Sequence, residues 1–159
     1  MAGVTSTRTV TLNPAFLQEI KEVNEELWQL LDELRQCVRR PIGPTQCRLI
    51  VERLATLRDQ LALHFALEEA FGYFEDPAYV SPGISESAEK LRQEHRTLYV
   101  RLNDLVERAE DLSYDLQLTA LARWIGPQFE QFDAAFRQHE SRENELIMDA
   151  LEVDLGGEH

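Results

Sequence analysis

Three stretches of this chain repeat apolar residues at intervals of three and four, and each repeat is interrupted by polar residues. One stripe runs Leu54, Leu57, Leu61, His64, Glu68, Phe71. A second runs Phe129, Phe132, Phe136, His139, Glu143, Leu146, and a third runs Leu91, His95, Leu98, Leu102, Leu105. Such spacing keeps every member of a stripe on one face of an α-helix, so the histidines and glutamates point where the leucines and phenylalanines point. An ionised carboxylate in an apolar layer costs several kcal/mol, roughly, unless it is paired or ligates a metal, and a buried imidazole needs partners too. Several such groups on core faces imply something that satisfies them together.

The stripes fall on four expected helices. Asn13 as cap and Pro14 at the first helical position start a helix running to about Val38. A turn containing Pro41 leads to a second helix from Pro44 to about Gly72. The segment YFEDPAYVSPGI connects it to a third helix, capped by Ser85 or Ser87 and reaching about Ala109. A turn around Asp111 to Tyr114 precedes the last helix, which ends near Leu151, with a kink or brief break expected at Gly126-Pro127. Short connections after the first and third helices favour an all-α fold, an up-down-up-down antiparallel four-helix bundle, as a single domain with its core over about 14–151.

Helix rise places the interruptions in register. At about 1.5 Å per residue, His95 lies roughly 14 Å from the start of its helix, and His64 and His139 roughly 12 and 17 Å from the ends of theirs. In an up-down bundle these ends share a pole, so all three histidines fall in one layer. On the first helix the stripe Ile20, Asn24, Leu27, Leu31, Leu34 is interrupted by Asn24 at about the same depth.

Composition narrows the function. The net charge of −13 repels phosphate backbones and anionic lipid surfaces, so neither nucleic acid nor membrane is an expected partner. The first residues lack the apolar run of a signal peptide and no segment is long enough to span a bilayer, which leads us to expect a cytoplasmic protein. Cys37 and Cys47 flank RRPIGPT without forming a metal-binding spacing, and are expected to be two reduced thiols.

Three imidazoles and two carboxylates converging inside a bundle suit iron, manganese or zinc. The ferritin-like arrangement would need a glutamate three residues before each histidine, where this chain has Leu61, Arg92 and Phe136. The opposite order is present: His-x-x-x-Glu in HFALEE at 64–69 and HESRE at 139–143, with a histidine between them in EHRTL at 94–98. Over about residues 14–151 this pattern closely resembles the hemerythrin-like, or HHE cation-binding, family. The resemblance implies that His64, His95 and His139 are terminal ligands, that Glu68 and Glu143 bridge two non-haem irons, and that a small gas such as O2 or NO is bound or sensed, or iron handled.

The chain also departs from that pattern. Asn24 and Leu91 stand where fuller members of the family have histidines, which leaves each metal short of ligands or one position weak. Asn24 is a poor substitute for an imidazole but could hold a metal-bound water by hydrogen bond, and Tyr99, one turn after His95, could reach the site but reads more simply as a surface or core tyrosine. Glu69, Glu94 and Glu140 adjoin the ligand positions and read more simply as a solvated face, and Trp28 as core packing. Open metal positions leave room for an enzyme of peroxide or nitrogen-oxide chemistry, and loss of metal would leave an interaction module with an unknown protein partner. The loop from Tyr73 to Ile84 is expected at the pole nearest the site.

Overall fold

The structure, a computed structural model, describes residues 9–76 and 81–156. It is mainly helical. Strand β1 (Thr9–Leu12) precedes α1 (Pro14–Val23) and α2 (Glu25–Arg39); α3 (Pro44–Leu67) continues through one π-helical turn, Glu68–Gly72, into strand β2 (Tyr73–Asp76). The long helices α4 (Pro82–Tyr114) and α5 (Leu118–Gly156) complete the chain. α2 packs on α3, α3 on α4, and α4 on α5, while α5 returns to both α1 and α2.

The expected first helix is two helices. At Asn24 the backbone leaves the helical region (φ −90°, ψ 57°), and its side chain accepts the Leu27 N–H, capping α2. The indole N–H of Trp28 donates to the Lys21 carbonyl at 2.7 Å, and so supplies a partner beside the break. Trp28 is thus a stitch across the break as well as packing. The break also redirects α1: fully buried Leu17 and largely buried Lys21, one turn apart, face inward, and Ile20 is half-buried.

The second helix spans the expected residues, but its last turn is π. Phe71 lies within that wider turn, which shifts its angular position and leaves it exposed although the 3.6-residue stripe aims it inward. Gly72 ends the turn against α1, where a Cβ would lie 2.3 Å from a Leu17 methyl, so the contact requires glycine. Two strands were not expected. β1 and β2 pair antiparallel, Thr9 opposite Asp76 and Leu12 opposite Tyr73, so part of the connection at 73–84 is a strand that the chain's beginning joins. Pro77 to Val80 of that connection, and His159, lie outside the described residues.

α4 begins about a turn earlier than expected, at Pro82 after Ser81, and runs a turn longer. α5 passes through Pro127 without a break. The turn between them lies at Asp115–Gln117, where Leu116 has a left-handed φ of 58°. Cys37 and Cys47 are both free; the Cys47 thiol donates to the Leu118 carbonyl and the Cys37 sulfur accepts from Arg53.

Two apolar clusters fill the interior. The larger holds Leu27, Leu31, Leu34, Leu54, Leu57, Leu61, Phe65, Leu102 and the aromatic row Phe129, Phe132, Phe136. The smaller lies under the strands: Val10, Leu12, Leu17, Tyr73, Ala88, Leu91, Leu146, Ile147 and Ala150. Along α4 and α5 the polar residues fall between the two, with Leu91 before and Leu98 after His95, and Phe136 before and Leu146 after the His139 and Glu143 pair. Leu91 is therefore apolar for a local reason: it belongs to the smaller cluster.

Candidate metal centre

His64, Glu68, His95, His139 and Glu143 are all buried, at no more than 2% exposure, in this polar layer. Glu68, His95, His139 and Glu143 form one group whose donor atoms all lie within 4.8 Å of one another. His95 Nε2 is 3.2 Å from Glu68 Oε1 and 3.8 Å from Glu143 Oε2; His139 Nε2 is 3.9 Å from Glu143 Oε2. His64 stands beside that group, its Nε2 3.4 Å from Glu68 Oε2. The sequence placed all five in one layer. The structure divides them into a compact quartet and a neighbour.

Behind each ring the Nδ1 atom has its own partner. His95 Nδ1 meets Glu69 Oε2 at 3.0 Å and His139 Nδ1 meets Glu94 Oε1 at 2.8 Å. Arg142 holds Glu94 in place, at 2.8 Å and 3.0 Å. A carboxylate behind Nδ1 keeps a hydrogen there, so that the Nε2 lone pair faces inward once the ring carries no second proton, the arrangement a metal-ligating histidine needs. Glu69 and Glu94 are therefore orienting groups and not merely a solvated face. His64 differs: Asn24 Nδ2 lies 2.9 Å from its Nδ1, while Asn24 Oδ1 is turned to the Leu27 N–H. An amide nitrogen is a donor, so His64 Nδ1 accepts and the neutral ring carries its hydrogen on Nε2, toward Glu68. Asn24 thus lies behind His64 and touches the site through it.

Two residues reach the cluster that sequence reasoning did not assign. Tyr73, on β2, is 2% exposed and donates its hydroxyl to Glu143 Oε2 at 2.6 Å. Lys21, on α1, places its ammonium 2.7 Å from Glu143 Oε1 and in contact with Glu140 Oε2. By contrast, Tyr99 is half-buried, and among the described residues no hydrogen bond, ion pair or ring contact joins it to the site. Tyr73 comes from the strand the sequence did not reveal. Lys21 was legible in principle, four residues after Leu17 and three before Asn24.

The electrostatics reflect crowding. Burial alone would lower the His95 pKa, but Glu143 and Glu68 outweigh it and lift it to about 10. Burial wins at His139, whose pKa falls below the usual value against the pull of Glu143 and Glu94. Burial would raise Glu143, yet His95 and Lys21 hold it well below the carboxylate range. Glu140 is pushed up to about 7 by burial, against Lys21. Lys21 itself, despite burial, is held above its ordinary value by Glu143, Glu140 and Glu68. Burial, then Glu143, raises the Tyr73 phenol.

His64 Nε2, His95 Nε2, His139 Nε2 and both Glu68 oxygens are buried without a well-directed hydrogen-bond partner. Native interiors leave few polar atoms so placed, and here they converge. Nitrogen and oxygen donors gathered in this way fit a divalent metal ion. Around them Phe65 stacks on His95, with ring centres 4.1 Å apart, and Trp28 meets His64 edge-on. A cleft of about 440 Å³, lined by Trp28 and Phe136 among others, opens onto Lys21 and Glu140.

A helical fold closed around a buried histidine and carboxylate cluster defines a class of cation-binding bundles. The hemerythrin HHE cation binding domain matches residues 15–151, and the chain belongs to that family. No curated protein and no solved structure matches it.

Proposed function

We propose that this protein binds non-haem iron at Glu68, His95, His139 and Glu143 and uses it to bind or sense a small gas, O2 or NO. The supporting observation is the set of buried, inward-facing nitrogen and oxygen atoms that converge without a well-directed hydrogen-bond partner. The fold we propose around them is an up-down-up-down antiparallel four-helix bundle in which α1 and α2 form one wall. Two irons per chain is what the family pattern implies, and the four residues gathered around His95 and His139 support one of those positions.

Ferrous iron supplies, when bound, an electron-rich centre with an open position for a diatomic gas. The chain's own residues do the rest. Glu69 and Glu94 orient His95 and His139, and Tyr73 fixes Glu143. Phe65, Phe136 and the apolar cluster beneath the strands keep water from the pocket, which slows loss of electrons with protons. A second reading, peroxide or nitrogen-oxide turnover, draws on the hydroxyl of Tyr73 as a hydrogen-bond donor beside the cluster.

Purification without a metal-affinity tag, under argon from iron-replete cells, followed by metal analysis, tests the first step. Bound iron, with visible absorption that changes on adding O2 or NO and reverses on removing it, is the expected result. Fast peroxide consumption without reversible gas binding would favour the second reading. Absence of metal after reconstitution would overturn both.

A further inference from the structure

Lys21 is the group the family pattern does not account for. Its ammonium is largely buried, 2.7 Å from the same Glu143 that faces His95 and His139, and it also contacts Glu140. A buried lysine is retained only where anions satisfy it, and these anions belong to the cluster. It comes from α1, the helix that ends at Asn24, and Asn24 contacts His64. Asn24 donates to His64 Nδ1, so the hydrogen on Nε2 opposes ligation. Of the two, the resident cation is the larger obstacle to a metal in this half, since ligation by His64 needs only a shift of its tautomer but cannot remove the charge of the ammonium.

We propose that Lys21 is the second cation of this site: its ammonium occupies the half shared by His64, Glu140 and Glu143, and the protein takes one divalent metal ion per chain, at Glu68, His95, His139 and Glu143. His64 then donates to Glu68 and is not a ligand. The inference deepens the iron-binding reading above and rests on it. Removing the ammonium releases Glu140 and Glu143 Oε1 toward His64 and Glu68, which assembles a second set of donors.

The test is metal stoichiometry. Metal-free full-length protein is equilibrated with ferrous iron under argon by dialysis, and bound iron is counted per chain for wild type, Lys21→Met and Lys21→Arg. The expected counts are about one for wild type, about two for Lys21→Met, which keeps the apolar stem and drops the charge, and about one for Lys21→Arg, which keeps the charge. Two ions in wild type, or one in a folded Lys21→Met, would overturn the proposal and leave the iron-binding reading intact. No iron in any of the three would overturn that reading together with the proposal. Should Lys21→Met fail to fold, as judged by circular dichroism, the wild-type count still decides, and Lys21→Gln replaces it.

Discussion

His95 and His139 are each backed by a carboxylate, whereas His64 is backed by a carboxamide, and this difference divides the polar layer. On the α4 and α5 side the Nε2 atoms of both rings face buried carboxylates, one ring is stacked on Phe65, and the smaller apolar cluster adjoins them under the strands. On the α1 side an ammonium already neutralises carboxylates, and a cleft reaches it from solvent. Two histidines with the same four-residue spacing to a glutamate, His64 with Glu68 and His139 with Glu143, thereby acquire different chemistry. A motif gives the donor atoms. The group behind the ring decides what the front of it can do.

The largest effect should come from the residue both halves share. Glu143→Ala should abolish metal binding and destabilise the metal-free protein by about 3–5 kcal/mol, because Lys21 loses a buried partner. Urea unfolding and metal analysis check this, and an unaltered metal count would break the division between the halves. Next, the two histidines should separate. His139→Ala should remove measurable iron binding, whereas His64→Ala should weaken it within about ten-fold, as loss of an outer hydrogen bond does. Equal losses would show that the halves are alike.

The pH dependence of the metal-free protein is set by His95. Its folded pKa, about 10, is above its unfolded value of about 6.5, so its contribution is complete below that value. Stability should therefore fall as pH rises from about 6.5 through 10, and iron binding should release a proton near neutrality. Chemical denaturation across that range, with calorimetry in two buffers of different ionisation heat, would detect both. A smaller change is expected from Tyr73→Phe, which leaves Glu143 Oε2 without its donor at a cost of about 1–3 kcal/mol. Tyr99→Phe should shift thermal stability by no more than about 0.5 kcal/mol and leave iron affinity unchanged.

The buried histidines and glutamates were legible because burial leaves a period. His64, Glu68, His95, His139 and Glu143 replace apolar residues in stripes whose other members must be buried, and that pattern survives without knowledge of what packs against it. Lys21 shares a helix face with Leu17 and Asn24 but is passed over by a stripe traced through the apolar Ile20, because a lysine on a helix flank ordinarily meets solvent. Phe71 is assigned inward by a 3.6-residue period, which takes no account of a π turn. Strand β2 was hidden because its pairing depends on β1, more than sixty positions earlier, and four residues with no strong alternation carry little signal of their own. Tyr73 was lost with it. Glu69 and Glu94 failed for a further reason: charged residues on a helix flank look the same from sequence whether they meet solvent or the back of an imidazole.

The pairing of β1 with β2 bears on how quickly the site can trade its contents with solution. A two-stranded ribbon is the least self-sufficient unit of the molecule, since on its own it would be marginal in water. Its hydrogen bonds and the Tyr73 contact can be lost while the long helices stay packed, so opening should require only a fraction of the global unfolding free energy. Amide exchange at Val10 to Leu12 and Phe74 to Asp76 should then be faster than within α4 and α5. The residence time of a bound ion should track the opening rate of this small ribbon and not the far slower unfolding of the helices.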